Sequence, residues 1–278
     1  MLLLSLAPIT LEAVRGPNPL REPPRLAPAN REELQDLLRL LGSQRPQGDY
    51  CFDFKLRHFP RRGPFTDYRG RLWGGADEAG SLNRIHLDIK DSPQDLVLLL
   101  QRGPYPRAWK LDADGEPREL SQAEWFEPLL PGVLYAPFHI LMPFIYWENW
   151  ESLPPERVKG RPARQFLMFP PEGYRVSVPE LKAIRMALDA KFNALLRADL
   201  IDMQDRSLLS FKVLTFKKVQ ELWIPRSIDL VDTTTRDKTR FQVEAAALNL
   251  QLPPEIFTPQ GLKVDPPLIP IERFDFFP

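Results

Sequence analysis

The sequence predicts a mainly β protein with some helix, built on an antiparallel sheet with one apolar face. Apolar and polar residues alternate along successive short segments in the last third of the chain, which is typical of such strands. Proline accounts for 31 of the 278 residues, about twice its average usage, which argues against a helical bundle. The apolar positions of these segments are Ile184, Met186, Leu188 and Phe192, then Leu196, Ala198 and Leu200, then Leu209, Phe211 and Val213, and finally Phe241, Val243 and Ala245.

An apolar sheet face of this extent must be covered by a second sheet, by helices or by an apolar ligand. The composition allows a sizeable core, since 43% of the residues are hydrophobic and 27% are charged. The 37 basic and 37 acidic side chains give a formal net charge of zero. This balance removes the simplest electrostatic argument for nucleic acid or an anionic membrane as the main partner.

Residues 1–28 are interpreted as the remnant of an export signal followed by a proline-rich linker. The segment MLLLSLAPITLEA resembles the apolar core of such a signal, with Ala13 as the cleavage-site residue, although a positively charged start is missing. Five prolines follow within residues 14–29. We therefore expect an exported, periplasmic protein with one lipid-binding domain over residues 29–278.

The first predicted helix begins at Asn30, whose side chain can form a capping box with Glu33. The helix is expected to end at Gly42. Its apolar stripe consists of Leu34, Leu37, Leu38 and Leu41.

A meander of strands is predicted next. The segment GDYCFDFKLRHF places Tyr50, Phe52, Phe54 and Leu56 on one face. The pair Asp114-Gly115 predicts a tight hairpin turn. The remaining predicted strands of this half span residues 68–73, 84–90, 95–101, 106–112 and 116–120, and strands resume at 157–169.

Two helical segments are predicted between the two strand-rich halves. Residues 121–130 begin with a Ser121–Glu124 capping pattern. Residues 136–147 have apolar side chains at helical spacing and a bend at Pro143. We interpret both as a cover over the apolar face, while simple core helices fit equally well. The aromatic residues Phe144, Tyr146, Trp147 and Trp150 are favoured as core, with membrane docking as the alternative.

The polar residues predict no catalytic site, no metal site and no cofactor. His58, His86 and His139 fall on separate segments without metal-like spacing and are interpreted as structural or surface residues. Cys51 is interpreted as a free structural thiol. The basic residues Arg157, Lys159, Arg161 and Arg164 are expected to coat the wet side of a strand, with lipid headgroup contact as the minority alternative.

Two motifs indicate a family. Residues 70–73 read Gly-Arg-Leu-Trp, and residues 256–265 read IFTPQGLKVD. Both resemble motifs of the LolA-like outer-membrane lipoprotein carriers, and the VKGRPA stretch resembles lipoprotein-sorting relatives of that family. The resemblance extends over about residues 30–265.

The resemblance implies a half-open antiparallel β-barrel, a curved meander sheet whose concave face is covered by helices. It also implies a hydrophobic cavity that accepts acyl chains. Carriers of this family hold their helical lid with an arginine shortly after the tryptophan. Here Gly74, Gly75 and Ala76 follow Trp73, so that arginine is missing at the matching position.

The predicted function is that of a non-enzymatic periplasmic carrier. It would bind lipid or lipoprotein acyl chains for transport to the outer membrane, with membrane-associated donor and acceptor proteins and without nucleic acid. One alternative is a regulatory domain of the same fold that senses lipid or lipoprotein, and another is an enzyme acting on a small apolar substrate. The predicted cavity and lid residues are Phe52, Phe54, Leu56, Trp73, Phe138, Leu141, Met142, Ile145, Ile184, Met186, Leu188, Leu196, Leu200, Phe211 and Val213.

Overall fold

The computed structural model describes residues 26, 29–43, 48–78, 80–89, 92 and 94–277. The predicted export-signal remnant and linker, residues 1–28, lie outside these residues apart from Leu26. The division of the chain at residue 29 therefore stays a prediction. Within the described part, none of the helices has the length and apolar character needed to cross a membrane.

One antiparallel sheet contains all fourteen strands found in the described part of the chain. Its first meander runs from β1 to β6 and its second from β7 to β13, and the two are joined by the pairing of β1 with β13. The strands are β1 (Asp49–Phe59), β2 (Thr66–Asp77), β3 (Gly80–Leu87), β4 (Leu96–Arg102), β5 (Arg107–Leu111), β6 (Pro117–Glu119), β7 (Trp150–Val158), β8 (Arg161–Met168), β9 (Leu181–Asp189), β10 (Leu195–Asp202), β11 (Ser207–Val219), β12 (Leu222–Asp232), β13 (Lys238–Leu250) and β14 (Asp275–Phe276).

The two edges of the sheet are consecutive in sequence. Strand β6 forms one edge and β7 the other, and they do not pair with each other. The sheet is therefore an open barrel, as predicted, and the segment 120–149 must run from one edge to the other. This segment carries the helical pieces that cover the apolar face.

That apolar face, here called the inner face, follows the predicted alternation. Tyr50, Phe52, Phe54 and Leu56 of β1 all join the main core. The same core takes one face of the neighbouring strands and the apolar side chains of the helical pieces. Because side chains alternate along a strand, Cys51 points to the opposite, outer face and joins a separate core.

Helix α1 (Arg31–Ser43) forms as predicted and ends one residue beyond Gly42. Asn30 Oδ1 accepts the Glu33 N–H at 2.9 Å, and Glu33 Oε2 accepts the Asn30 N–H at 3.0 Å. This is the predicted capping box. Two side chains hold the helix on the barrel, because Asn193 Nδ2 donates to the Leu37 carbonyl and Tyr146 Oη donates to the Gly42 carbonyl.

The prediction of a helix over residues 121–130 is wrong. Only a single 3-10 turn, Glu124–Phe126, forms there. Glu127 is extended at φ −74° and ψ 136°, since the proline that follows disfavours the helical conformation of the preceding residue. The Ser121–Glu124 capping contact is nevertheless present. Helix α2 (Pro137–Leu141) forms within the predicted segment 136–147, and a short helix that was not predicted, α3 (Glu172–Ser177), follows β8.

The outer face is not uniformly wet, contrary to the expectation of one dry and one wet face. Two 3-10 turns, Pro254–Phe257 and Gln260–Lys263, cover part of it and are the structural form of the IFTPQGLKVD motif. Elsewhere the outer face carries cross-strand ion pairs such as Asp53–Arg71 and Asp229–Arg240. The second core beneath the turns contains Cys51, Trp73, Leu82, Val97, Leu99, Trp109, Ala247, Leu250, Ile256, Phe257 and Leu262.

Arg84 fastens this C-terminal segment to the sheet. Its side chain is buried, and its guanidinium donates to the carbonyls of Gly261 at 2.6 Å and Val264 at 2.7 Å. Burial lowers the pKa of Arg84 to about 10, so the group stays charged at neutral pH. The family-like motif is therefore held by a residue that sequence reasoning did not single out.

Replacing Asn30 by Ala tests the predicted cap. The substitution removes the side-chain acceptor of the Glu33 N–H, so we expect the free energy of unfolding to fall by about 1 kcal/mol in urea titrations. Asn30→Ser is the matched control, because a serine oxygen can accept the same N–H and should preserve most of the stability. Equal stability of Asn30→Ala and the wild type would show that the cap contributes nothing.

Candidate functional site

The candidate site lies between the inner face and the segment that crosses it. All but two of the predicted cavity and lid residues join the main core there. The two exceptions are Trp73 and Leu196. That the assembled residues bind lipid stays a prediction, whereas their convergence on one side of the sheet is a feature of the structure.

Trp73 lies on the outer face, which corrects its assignment to the cavity. Leu72 joins the main core, and its neighbour Trp73 therefore points the other way, into the second core with Phe257 and Leu262. The tryptophan of the G-x-L-W motif thus packs against the C-terminal motif. The two family-like motifs form one structural unit on the outer face.

The alternating pattern also assigned Leu196 to the wrong face of the sheet. It packs with Ala163 and Ala187 on the outer face, while Leu195 and Ala198 join the main core. The pairing of β10 with β9 shifts register between Leu195 and Arg197. A β-bulge inserts one extra residue at this point and changes the face that the following side chains occupy.

The lid consists of α2 (Pro137–Leu141) and the 3-10 turn Pro143–Tyr146. The two halves meet at Met142, which adopts the left-handed conformation at φ 47° and ψ 52°. Pro143 disfavours a right-handed helical conformation for the residue before it. The predicted bend is therefore present, and Met142 closes the helix by donating its N–H to the Phe138 carbonyl at 2.9 Å.

Aromatic contacts hold the lid against its surroundings. The Phe138 ring stacks on Phe126 with centroids 4.4 Å apart and lies 6.4 Å from the Tyr174 ring. Phe144 and Trp147 are also buried. Their burial agrees with the favoured interpretation of these aromatic residues as core.

The lid almost fills the space beneath it. A cavity of about 30 Å³ remains between α2 and the inner face, compared with about 300–1,000 Å³ for typical ligand pockets. Its lining is nearly all hydrocarbon, and Phe54, Phe211 and Phe241 contribute to it from the sheet. The remaining lining residues are Leu56, Leu72, Ile85, Leu87, Leu129, Tyr135, His139, Ile140, Met142 and Ile228.

Arg102 at the end of β4 contacts the lid backbone. Its Nε donates to the Leu141 carbonyl at 3.1 Å, and the residue is only 2% exposed. This carbonyl lies in the last turn of α2, where carbonyls have no partner within the helix. An arginine therefore does contact the lid, although it comes from a different strand than the missing arginine after Trp73.

Steric constraints at the two positions after Trp73 explain why neither can carry the arginine. A Cβ at Gly74 would lie 1.8 Å from Cζ of Tyr50, and a Cβ at Gly75 would lie 2.7 Å from the Phe257 ring. Any side chain at these positions would displace an aromatic ring. The Tyr50 hydroxyl in turn donates to Asn83 Oδ1 at 2.9 Å in a buried contact.

His139 is the most unusual polar residue of the lid. Its Nδ1 accepts the Ala136 N–H at 3.0 Å, which fixes the ring at the start of α2. Burial lowers the pKa of His139 to about 4 from its ordinary 6.5. The ring is therefore neutral at neutral pH.

One group among the described residues has the composition of a cation site. Ligand atoms of His86, Asp88 and Asp95 lie within 4.8 Å of one another near the β3–β4 connection. The Asp95 oxygens are already engaged, because one accepts the Ile89 N–H at 3.0 Å and the other contacts His86 Nε2 at 2.9 Å. These contacts account for His86 and Asp95 as parts of a hydrogen-bonded turn.

Sequence reasoning missed the charged residues that organise the site. Arg84 and Arg102 lie in strands whose two faces are both largely buried. A charge in such a strand must find polar partners, and this is the signal that could have identified both. Among the apolar residues, Leu72, Ile85 and Leu87 were missed, although their alternation with outer-face residues marks the same inner face.

Solved structures with the same architecture identify the fold. An outer membrane lipoprotein-sorting protein domain from Vibrio parahaemolyticus matches with a TM-score of 0.70 and 13% identity, covering 82% of this chain and 97% of that one. A DUF1329 family protein from Desulfovibrio piger matches at 0.69 with 15% identity, with the same coverage of 82% and 97%. The chain has the LolA-like fold.

One more solved structure shares the LolA-like fold, and two sequence comparisons add a partial match and no match. A LolA superfamily protein from Nitrosomonas europaea matches with a TM-score of 0.57 and 14% identity, covering 81% of this chain and 96% of that one. A family model described as "-like: Uncharacterized protein" matches residues 180–264. The comparison with curated protein sequences found no match. The predicted resemblance is thus confirmed at the level of the fold.

Replacing Arg102 by Met tests whether this residue holds the lid of the LolA-like fold. The change leaves the buried Leu141 carbonyl without its donor, at a cost of about 1–3 kcal/mol. We expect the lid amides of Met142 and Trp147 to exchange their hydrogens on the order of tenfold faster, while the β1 and β13 amides keep their rates. Arg107→Met, which removes an exposed arginine paired with Glu119, should leave lid exchange unchanged. Unchanged lid exchange in Arg102→Met would contradict the assignment.

The buried histidine predicts a pH dependence of stability. Between pH 6.5 and about 4 the unfolded chain protonates His139 while the folded chain does not. The free energy of unfolding should therefore decrease as pH falls through this window, by about 3 kcal/mol from this residue. His139→Asn keeps an acceptor for the Ala136 N–H and lacks the titrating ring, so its stability should fall less steeply. Parallel curves from urea titrations of the two proteins would refute this origin of the slope.

Proposed function

We propose that this protein is a carrier that binds lipid or lipoprotein acyl chains beneath its lid. The observation that supports this most directly is the nearly all-hydrocarbon cavity between α2 and the inner face. The lid occupies the space that acyl chains would take, and it is a short broken helix rather than part of the sheet. The LolA-like fold is consistent with this role.

Hydrocarbon burial supplies enough free energy for such binding. Each methylene transferred from water contributes about 0.8 kcal/mol, so one long chain contributes on the order of 10 kcal/mol before ordering costs. Chains that enter must displace lid side chains such as Phe138, Leu141 and Ile145, which are themselves apolar. The lid therefore exchanges one hydrocarbon contact for another, and the net affinity stays moderate enough for release.

Opening the lid breaks few polar contacts. The Arg102–Leu141 hydrogen bond and the Tyr146–Gly42 hydrogen bond tie its two halves to β4 and to α1. Met142 contributes flexibility, because its unbranched thioether side chain adapts to irregular apolar space. A groove of about 750 Å³ is lined by α1 and by the second half of the lid, and we propose it as the route for the chains.

Transport to the outer membrane through the periplasm is part of the same proposal. Membrane-associated donor proteins would load the carrier and acceptor proteins would unload it. For unloading, the acceptor must bind the acyl chains more tightly than the carrier does. This mechanism needs no catalytic residue and no cofactor. The lipid-sensing domain of the same fold differs from it in one testable respect, since a sensor has no need to release its ligand.

Uptake of a labelled lipid tests the carrier proposal. Vesicles of phosphatidylglycerol with a pyrene-labelled acyl chain are mixed with the protein, and monomer emission reports transfer. We expect uptake by the wild type and Arg107→Met at equal rates, and by Arg102→Met on the order of tenfold faster because its lid opens more often. Native mass spectrometry should detect lipid in the purified protein. Absence of both uptake and extractable lipid would overturn the proposal.

Release distinguishes the carrier from the sensor. Loaded protein is mixed with unlabelled vesicles of phosphatidylethanolamine and phosphatidylglycerol, and the return of the label to the vesicles is followed. A carrier is expected to release its lipid to this acceptor. Stable retention of the label would favour the lipid-sensing domain.

A further inference from the structure

A buried hydrogen-bond donor belongs to a residue that lines the apolar cavity. His139 lies on α2, is 6% exposed and lines the cavity together with Tyr135. Its Nδ1 accepts the Ala136 N–H, so in the neutral ring the proton must reside on Nε2. Among the described residues, Nε2 has no hydrogen-bond partner.

Leaving this donor unpaired is unfavourable, and the surroundings offer little compensation. The rings of Tyr135 and Phe138 stand edge-on to the His139 ring at 6.3 and 5.8 Å between centroids. Contacts of an N–H with an aromatic ring are weaker than a hydrogen bond to oxygen. The Tyr135 hydroxyl is engaged as a donor to the Ile228 carbonyl at 3.2 Å.

Water is a poor permanent partner at this position. A cavity of about 30 Å³ has room for a water molecule, but a stably buried water needs two to four polar partners. The lining side chains offer a water only the His139 N–H and the Tyr135 hydroxyl, the minimum of two partners, because all the others are hydrocarbon or thioether. The His139 N–H is therefore suited to a ligand that is mostly hydrocarbon and carries one hydrogen-bond acceptor.

The charge state of the His139 ring restricts the kind of hydrogen-bond acceptor that can bind there. Burial holds the pKa of His139 near 4, so a neutral N–H faces the ligand. A carboxylate brought next to it would be desolvated without an opposite charge, which is strongly unfavourable. A neutral carbonyl oxygen meets no such penalty.

We infer that His139 Nε2–H donates a hydrogen bond to the carbonyl oxygen of an acyl ester or amide whose hydrocarbon chain occupies the cavity. This inference rests on the proposed carrier function and specifies the chemistry of its ligand. A diacylglycerol supplies the ester and an N-acylated lipoprotein supplies the amide. A free fatty acid in its ionised form is disfavoured.

Two substitutions separate the two nitrogens of the ring. In His139→Gln, the amide N–H₂ lies near the position of Nε2, so a donor toward the cavity is retained. In His139→Asn, the side-chain oxygen lies near the position of Nδ1, so the contact to Ala136 is retained and the cavity donor is lost. Both variants are compared with the wild type by displacement of the pyrene-labelled lipid.

The competing probes are methyl laurate, N-methyl lauramide, laurate ion and an alkane of matched length. For the wild type and His139→Gln we expect the ester or the amide to bind about fivefold more tightly than the alkane and the laurate ion. His139→Asn should lose this preference while binding the alkane as before. The probe with the larger preference, ester or amide, identifies the source of the carbonyl.

Retention of the preference in His139→Asn would overturn the inference, and so would equal binding of laurate and methyl laurate. If the wild type binds the alkane and the ester equally, the carrier function stands and the role of His139 is refuted. If none of the four probes displaces the label, the failure lies with the proposed function itself.

Discussion

The unpaired edges of the sheet impose the constraint on which the structure depends. Strands β6 and β7 lie at opposite ends of the strand order, and the inner face between them is almost entirely apolar. Water cannot be left against such a surface, because its exposure would cost more free energy than the protein's whole stability. The connection between the two edges therefore has to lie across the face. The lid is a consequence of the topology.

A cover made in this way is tied down less firmly than a strand. Among the described residues, the lid shares no ladder of backbone hydrogen bonds with the sheet, and Arg102 and Tyr146 provide polar anchors at its two halves. Its remaining adhesion is hydrocarbon and aromatic contact, which acyl chains can replace. The same feature that completes the core thus makes this part of the core exchangeable in the proposed carrier.

Local patterns predicted the parts of the structure that local physics controls. The alternation in β1, the Asn30–Glu33 capping box and the bend at Pro143 depend only on residues close in sequence. The predicted helix at 121–130 was wrong because a proline ended it after one turn. Trp73 and Leu196 were wrong because an alternating pattern does not say which face is the inner one, and it cannot show a bulge.

Most of the strands, the first helix and the apolar inner face could be predicted from the spacing of neighbouring residues, and two short motifs carried the family likeness. The remaining features depend on contacts between distant segments. The pairing of β1 with β13 brings together strands almost 200 positions apart. Folding of the whole chain also brings Arg102 to the end of α2, Arg84 to the C-terminal motif and His139 to the lining of the cavity. These contacts join distant segments, and only folding of the whole chain creates the burial that gives their polar groups a role.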